Sequence, residues 1–359
     1  MNLKQRISFI LTPILAAILL LYVKLEPGNP KVTATFCVAL LMAVWWITEA
    51  VPLAVTSLLP VVLFPLLGIM DGKLVAATYF NDVIFLFMGG FLVALAMERW
   101  QLHRRIALRI LCFTGVKPAS ILLGFMSAAF FLSMWISNTA TAMMMLPIAM
   151  SIIGQLEKLI PSEGSGRLGI GLLLGIAYGA SVGGMATLVG TPPNLSFIRI
   201  YHIYFPHGPE ISFSKWMLFT LPLSLTVFGL IWLTLFLMYK PDRKNWTPID
   251  RDTFHRQLKA MGGMKREERI VLIVFITLAL LWIFRSDLHL GSLTIPGWAG
   301  LLPSKNFIND GTVAMLMAVL LFLIPTRKNS GGTLLDWETA SRLPWHILLL
   351  FGGGFALAT

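Results

Sequence analysis

The sequence predicts an all-α, polytopic membrane protein, and three observations support this fold class. Hydrophobic residues make up 57% of the 359 residues and charged residues only 13%, whereas a soluble domain usually has about 25% charged residues. Uncharged stretches at 7–23, 51–70 and 218–239 are long enough, or nearly so, to cross about 30 Å of hydrocarbon as helices. The basic residues gather in the short segments between such stretches, where they set orientation.

Apolar segments follow one another along the whole chain. In order, the predicted spans are residues 7–23, 32–47, 51–70, 83–97, 119–160, 168–201, 218–239, 269–285, 311–325 and 343–359. Two are interrupted, 119–160 by a Ser-Asn-Thr motif and 168–201 at Gly190. The first segment follows Lys4 and Arg6 as a signal sequence would, but no small-residue cleavage site comes after it. We therefore predict that it is retained as a span.

Four basic clusters define the predicted topology. They are Lys4 and Arg6; Arg99, Arg104, Arg105 and Arg109; Lys240, Arg243, Lys244, Arg251, Arg256, Lys259, Lys265, Arg266 and Arg269; and Arg327, Lys328 and Arg342. Counting spans places all four on one side, which predicts an inner (plasma) membrane protein with a cytoplasmic N-terminus. The net charge of +11 therefore reflects membrane orientation, and no nucleic-acid partner is expected. The count leaves open whether 119–160 crosses twice or enters and returns as a hairpin.

An internal repeat is visible in the apolar segments. Leu-Phe-Met-Gly-Gly-Phe at 86–91 is matched by Leu-Phe-Gly-Gly-Gly-Phe at 350–355, and the preceding spans also correspond. On the predicted topology the two copies run in opposite directions, as in inverted-repeat secondary transporters. The alternative is a chance likeness between two glycine-rich helices.

The repeat suggests how the chain is organised. The predicted parts are a first span and loop (1–31), a first repeat (32–239), a basic cytoplasmic loop (240–268) and the start of an inverted second repeat (269–359). The first repeat would contain scaffold spans, an interfacial arm at 99–110, the hairpin 119–160, the broken helix 168–201 and the span 218–239. A second copy of the Ser-Asn-Thr motif would fall beyond Thr359. We therefore expect an incomplete second repeat, as in a fragment of a longer transporter.

The polar interruptions carry the candidate chemistry. Ser133 and Ser137 are four residues apart, so on a helix their hydroxyls share one face, and Asn138 adds an amide oxygen. Neutral oxygens of this kind suit a hard cation such as Na⁺. The helix that follows Thr139 offers free N–H groups to a carboxylate. The Gly-Thr-Pro-Pro-Asn string at 190–194 forces a helix break whose carbonyls could complete the cation shell. Alternatively, the polar residues are interhelical contacts and the prolines a plain loop.

Three strings resemble one transporter family. They are Ser-Asn-Thr-Ala-Thr at 137–141, Gly-Gly-Met-Ala-Thr-Leu-Val-Gly-Thr-Pro-Pro-Asn at 183–194 and Trp-Trp-Ile-Thr-Glu-Ala-Val-Pro at 45–52. The chain is similar over its whole length to the divalent anion/sodium symporters, which carry di- and tricarboxylates or sulfate, often with sodium. The resemblance implies that 119–160 is a re-entrant hairpin and that the protein is a homodimer. The family's second hairpin and last span have no counterpart here.

The resemblance also implies site residues. Ser133, Ser137, Asn138 and Gly190 would hold the first Na⁺. The substrate carboxylate would contact Asn138 and Thr139, with Thr191 nearby. The expected partners are thus a small carboxylate, membrane lipid and a second copy of the chain, with Na⁺ as the coupling ion.

The predicted function is Na⁺-coupled symport of di- or tricarboxylates, preferably a C4-dicarboxylate such as succinate, by alternating access. The alternatives are a dicarboxylate exchanger, a sulfate symporter, and an inactive fragment or non-transporting membrane scaffold. An enzyme is not expected, because His-Glu-x-x-His does not occur and no His or Asp accompanies Ser137. The six histidines are scattered and are predicted to be solvated or interfacial.

Overall fold

The structure, a computed structural model, describes residues 1–159, 162–240, 252–290, 293–327 and 332–359. The predicted basic loop at 240–268 is only partly included, since Arg243, Lys244 and Arg251 lie outside the described residues, as does Lys328. The chain divides into two compact units, residues 1–88, 196–209 and 343–359 in unit 1 and residues 89–195 and 210–342 in unit 2.

Unit 1 is built from helices that are mostly short. Its elements are α1 Leu3–Tyr22, α2 Pro30–Thr48, α3 Leu53–Thr56, α4 Leu59–Leu66, α5 Gly72–Tyr79, the start of α6 Asp82–Arg99, the end of α11 Pro192–Tyr204, and α17 Trp345–Ala358. Its core includes Val38, Phe64 and Tyr79. The Tyr79 hydroxyl donates to the Ser57 carbonyl oxygen over 2.5 Å.

Unit 2 contains the remaining helices. Its elements are the end of α6, α7 Leu102–Phe113, α8 Pro118–Ser133, α9 Asn138–Leu159, α10 Ser162–Met185, the start of α11, α12 Phe213–Tyr239, α13 Asp252–Ala260, α14 Arg266–Ile283, α15 Asp310–Leu323 and α16 Trp337–Ala340. Two three-residue strands, β1 Leu288–Leu290 and β2 Leu293–Ile295, pair antiparallel with Leu288 opposite Ile295. Two 3₁₀ helices follow, Trp298–Leu301 and Lys305–Phe307.

Six helices in the described part of the chain are long and apolar enough to cross a membrane. They are Leu3–Tyr22, Pro30–Thr48, Gly72–Arg99 (α5 and α6 together), Asn138–Glu157, Gly166–Met185 and Phe213–Tyr239. Of the shorter apolar helices, α8 lies between them along the chain, and α15 and α17 follow the last of them. The chain is therefore an integral, multi-pass membrane protein of helical class, as its composition predicts.

The span predicted at 51–70 differs in detail. It consists of the two short helices α3 and α4 rather than one continuous helix. Pro52 precedes the first helical residue of α3, and Pro60 stands at the start of α4. A proline has no N–H to donate and its ring clashes with the preceding turn, so it is tolerated best at the start of a helix. Hydropathy alone does not register this interruption.

The core of unit 2 holds the polar interruptions in place. Helix α8 packs against α7, α9 and α10, with Phe125 and Met126 fully buried among them. Glycines let α8 and α10 approach closely: a Cβ atom on Gly179 would lie 2.8 Å from the Met126 carbonyl oxygen. Small residues at such crossings are typical of helix packing in membranes. The end of α8 is thereby fixed against the end of α10.

Candidate functional site

The first polar interruption is the turn between α8 and α9. Ser133 is the last residue of α8 and is fully buried. Its hydroxyl donates a hydrogen bond to the side-chain oxygen of Asn138, the first residue of α9. The Ser137 hydroxyl accepts from the Ala140 N–H over 3.2 Å, which caps the start of α9. The turn therefore places the Ser133 and Asn138 oxygens in direct contact. Ser133 and Ser137 do not share one helix face, because α8 ends at Ser133 and α9 begins after Ser137.

The second interruption separates α10 from α11. Helix α10 ends at Met185, and α11 begins at Pro192, where a missing N–H does no harm. Between them, the Asn194 amide donates to the carbonyl oxygens of Gly184 over 3.0 Å and Thr187 over 2.7 Å. Asn194 is only 6% exposed. Its side chain thus satisfies two carbonyls that the break has released from helical bonding.

The two interruptions meet. A Cβ atom on Gly190 would lie 2.5 Å from the Gly184 carbonyl oxygen and 2.8 Å from that of Ser133. A Cβ atom on Gly184 would lie 2.5 Å from the side-chain oxygen of Asn138. The Thr187 hydroxyl also donates to the Met134 carbonyl oxygen, joining the break to the turn. Hydroxyl, amide and carbonyl oxygens therefore converge where no side chain larger than hydrogen fits at 184 or 190.

The other predicted site residues are neighbours of this cluster in sequence and are more exposed to solvent. Thr139 is exposed on the first turn of α9, and Thr191 is half-buried just before α11. Within the described ranges, neither side chain makes a hydrogen bond. Ser137 is half-buried and serves as the helix cap described above. Thr139, Thr191 and Ser137 are thus not joined to Ser133 and Asn138 by side-chain bonds.

Sequence reasoning missed three residues of the site. Asn194 was named only as the last residue of the Gly-Thr-Pro-Pro-Asn string, and Thr187 and Gly184 only within a resemblance string, none of them with a role of its own. Pro192 and Pro193 were the available signal, because prolines that end a helix leave carbonyls unpaired inside the protein. A buried amide or hydroxyl close in sequence is then the natural donor.

The residues that form the oxygen cluster carry no formal charge. Among the residues that the structure describes, no group of three or more His, Cys, Asp or Glu side chains could hold a metal ion. Buried charges occur elsewhere in unit 2, as the ion pairs of Arg105 with Glu268 and of Arg285 with Asp310. An oxygen cluster without formal charge suits a weakly held monovalent cation better than a tightly held divalent one.

Two cavities in unit 2 lie outside the oxygen cluster. One of about 260 Å³ borders the first turns of α9, with Thr141 and Met143 in its wall together with Glu98 and His103. His103 is buried and its Nδ1 lies 3.0 Å from the Met97 carbonyl oxygen, so the prediction of a solvated or interfacial histidine is wrong here. A larger cavity of about 420 Å³ lies beside Arg99 and Asp336. Neither includes Ser133, Asn138 or Gly190 in its lining.

Comparison with known proteins places the chain in a family. The family profile described as "Sodium:sulfate symporter transmembrane region" matches residues 4–359. A protein named sodium-dependent dicarboxylate transporter SdcS, from Staphylococcus saprophyticus, is 42% identical over 363 residues, covering 99% of this chain and 67% of the relative. The SdcS of Staphylococcus aureus strain NCTC 8325 is 40% identical over 360 residues, with the same coverage. The chain therefore belongs to the sodium:sulfate symporter family, which the sequence motifs had indicated.

Proposed function

We propose that this protein couples the inward movement of Na⁺ to the uptake of a di- or tricarboxylate, with a C4-dicarboxylate such as succinate as the preferred substrate. The observation that carries the proposal is the neutral oxygen cluster formed where two helix interruptions meet, at Ser133, Asn138 and Gly190. The names of the SdcS relatives, sodium-dependent dicarboxylate transporters, support the same substrate pair. The function is transport rather than catalysis.

Na⁺ is the substrate that fits the cluster. The Ser133 hydroxyl and the Asn138 side-chain oxygen already touch, and the Ser133 and Gly184 carbonyl oxygens face Gly190. Hard cations prefer such oxygen ligands. We assign Ser133, Ser137, Asn138 and Gly190 to the Na⁺ site, Ser137 by its place on the same turn. An ion held there would fix the α8–α9 turn against the break between α10 and α11.

The carboxylate would bind at the start of α9. The first N–H groups of that helix are free of intrahelical partners and carry the positive end of the helix dipole. Asn138 would contact both ion and carboxylate, Thr139 offers an exposed hydroxyl, and Thr191 stands at the start of α11. Because one residue serves both substrates, Na⁺ binding would order the carboxylate site and so couple the two.

Inverted repeats would supply the alternating-access mechanism. The inverted repeats are supported by the packing of the two glycine motifs, because each motif contacts a helix of the other repeat. A Cβ atom on Gly89, in the first repeat, would lie 2.6 Å from Ala314 in the second. One on Gly353, in the second, would lie 2.5 Å from the Ser57 carbonyl oxygen in the first. The proposed organisation is therefore a first repeat at 32–239 and a second beginning at 269, with α8 and α9 forming a re-entrant hairpin.

The remaining proposals concern setting and partners. We propose a cytoplasmic N-terminus in the plasma membrane, which the distribution of basic residues supports. Exposed apolar side chains along α1, such as Leu11 and Ile18, would contact lipid. We propose a homodimer on the basis of the family resemblance.

The experiment is uptake of radiolabelled succinate by proteoliposomes containing the purified protein. An inward Na⁺ gradient should drive accumulation, while an equal K⁺ gradient or protein-free liposomes should not. Equal uptake without Na⁺ would refute coupling, and uptake only into succinate-loaded liposomes would identify an exchanger. Accumulation of sulfate but not succinate would refute the substrate assignment, and no uptake of either would refute transport by this chain.

A variant separates the carboxylate site from the ion site. Replacing Thr139 by Val should raise the KM for succinate about tenfold at saturating Na⁺, since a hydrogen bond to a charged group is lost. The apparent Na⁺ affinity should stay within about twofold of wild type, because Thr139 is not assigned to the ion. Thr234→Val, at an exposed position of α12, is the matched control. An unchanged KM for Thr139→Val would remove Thr139 from the carboxylate site.

A further inference from the structure

Asn194 is a buried amide that none of the assigned substrate contacts uses. It lies one turn into α11, and its side chain points back across the helix break to the carbonyl oxygens of Gly184 and Thr187, at 3.0 and 2.7 Å. These two acceptors belong to the end of α10 and to the following turn. A single side chain of α11 therefore links that helix to the end of α10 and to the turn between the two helices.

We propose that Asn194 is a positioning residue of the Na⁺ site, acting through Thr187 and Gly184 and not by contact with the ion. The inference rests on the proposed function, since it names a residue on which Na⁺ affinity depends. Asn194 keeps the turn at 186–191 in the one conformation that brings Gly190 against the Ser133 and Gly184 carbonyl oxygens.

The helix break releases backbone carbonyl groups from their helical hydrogen bonds. A helix that ends inside a membrane protein leaves carbonyl oxygens with no water to accept from, and a buried group left unpaired is costly. The Thr187 carbonyl oxygen has one further donor, the Gly190 N–H, at the longer distance of 3.4 Å. Asn194 is 6% exposed and Thr187 fully buried, so solvent does not replace the amide. An amide N–H₂ has two donors, which matches the two acceptors. Neither a carboxylate nor an aliphatic side chain supplies them.

Thr187 carries the effect to the α8–α9 turn. Its carbonyl oxygen accepts from Asn194, while its hydroxyl donates to the Met134 carbonyl oxygen. Met134 follows Ser133 directly, and the Ser133 hydroxyl bonds to Asn138. Asn194, Thr187 and Met134 thus form a continuous hydrogen-bonded connection from α11 to the turn that bears three of the assigned ion ligands.

Gly184 carries the effect to Gly190. The Gly184 carbonyl oxygen accepts from Asn194, and the same oxygen would lie 2.5 Å from a Cβ atom on Gly190. Because the space is so tight, a small movement of the Gly184 carbonyl changes the distance between the oxygens that surround the ion. Loss of the amide donors should therefore weaken Na⁺ binding although no ligand is removed.

The test uses Asn194→Asp, which keeps the shape and replaces the donors by acceptors. At pH 8 the carboxylate faces two carbonyl oxygens, and the apparent Na⁺ affinity should fall at least about tenfold. At pH 5.5 a larger fraction of the carboxyl group is protonated and can donate one bond, so part of the lost affinity should return. Affinity is read from the Na⁺-dependent rise in Tm without any carboxylate, so that protonation of the substrate does not enter.

The control is Asn2→Asp. Asn2 caps α1 by accepting from the Gln5 N–H over 2.9 Å, a role that Asp performs equally well. It should therefore show wild-type Na⁺ affinity at both pH values. In Na⁺-driven uptake, Asn194→Asp at pH 8 should need more Na⁺ for half-maximal rate, with the KM for succinate at saturating Na⁺ close to wild type.

A second variant covers the case in which Asn194→Asp does not fold. Thr187→Val keeps the shape and removes only the hydroxyl bond to Met134, and it should lower Na⁺ affinity about threefold or more. Wild-type affinity in Thr187→Val, or in Asn194→Asp at pH 8, would overturn the positioning role and leave the proposed function standing. No Na⁺ response in the wild-type protein would overturn the proposed function, and the inference with it.

Discussion

The Ser133 hydroxyl donates a hydrogen bond to the side-chain oxygen of Asn138, across the turn between α8 and α9. The bond joins the buried end of one helix to the first residue of the next. In the proposed site the same two oxygens are Na⁺ ligands. On that proposal, a contact within the protein shapes the turn before the ion binds, which would limit the ordering that binding must cost.

Replacing Ser133 by Ala should lower the apparent Na⁺ affinity about tenfold, because one ligand oxygen and the partner of Asn138 are both lost. The maximal uptake rate at saturating Na⁺ should change less than the affinity. The measurement is succinate uptake at varied Na⁺, with Ser181→Ala as control, since Ser181 is exposed and its hydroxyl donates to the Ala177 carbonyl oxygen within its own helix. Unchanged affinity in Ser133→Ala would exclude Ser133 as a ligand.

Replacing Gly190 by Ala tests the close approach of the two interruptions. The added methyl group would meet the Gly184 and Ser133 carbonyl oxygens at 2.5 and 2.8 Å, and overpacking of this kind costs about 1–3 kcal/mol. Apparent Na⁺ affinity should fall about ten- to a hundredfold. Gly229→Ala is the matched control, because nothing lies within 4 Å of its added methyl group. Equal Na⁺ affinity in the two variants would show that the interruptions do not meet at the ion.

The sequence predicted the parts of this site that depend on nearby residues. Ser133 and Asn138 are five residues apart, and a helix end with a short turn brings them together whatever the rest of the fold does. The prolines at 192 and 193 likewise mark the break without further information. The family resemblance then assigned Na⁺ to the cluster.

The parts that could not be predicted depend on distant partners. The hydrogen bond from Thr187 to Met134 spans 53 positions of sequence, and no local pattern specifies it.

The helix at 99–110 was predicted to be interfacial and amphipathic, and α7 does bury Leu102 and Leu111. Its Arg105 is buried too. Periodicity does not reveal a buried arginine, because the carboxylate that permits its burial lies 163 positions away.

The buried carboxylate of Glu268 leads to a prediction about thermal stability. Arg105 Nε lies 2.5 Å from Glu268 Oε1, with side chains 6% and 4% exposed, and Arg105 Nη1 donates to the Gly262 carbonyl oxygen over 2.9 Å. Replacing Glu268 by Gln leaves a buried cation without a counter-charge, at a cost of about 3 kcal/mol. The Tm in detergent should fall by about 5 °C or more.

The exposed Glu338 provides the control, since Glu338→Gln should shift the Tm by less than about 2 °C. Arg105→Met combined with Glu268→Leu should be more stable than Glu268→Gln alone, because no unpaired charge remains in the core. A Glu268→Gln protein as stable as wild type would mean that the pair contributes nothing to holding α7 against α14.

Asp336 gives a prediction of pH dependence. The backbone N–H of Thr339 donates to Asp336 Oδ1 over 2.9 Å, and Arg99 Nη2 lies 2.6 Å from Asp336 Oδ2. The Thr339 hydrogen bond, with a smaller contribution from Arg99, lowers the pKa of the Asp336 carboxyl below its ordinary value. A carboxyl group with a lowered pKa in the folded state stabilises the protein at pH values above the pKa that the group has in the unfolded chain. This stabilisation is lost as the pH falls through the pKa of the folded state.

Replacing Asp336 by Asn keeps the helix cap but removes the charge. Wild type should therefore have the higher Tm at pH 7, and the difference should shrink below about pH 4. A difference that stays constant from pH 7 to pH 3 would show that the Asp336 charge does not stabilise the folded protein.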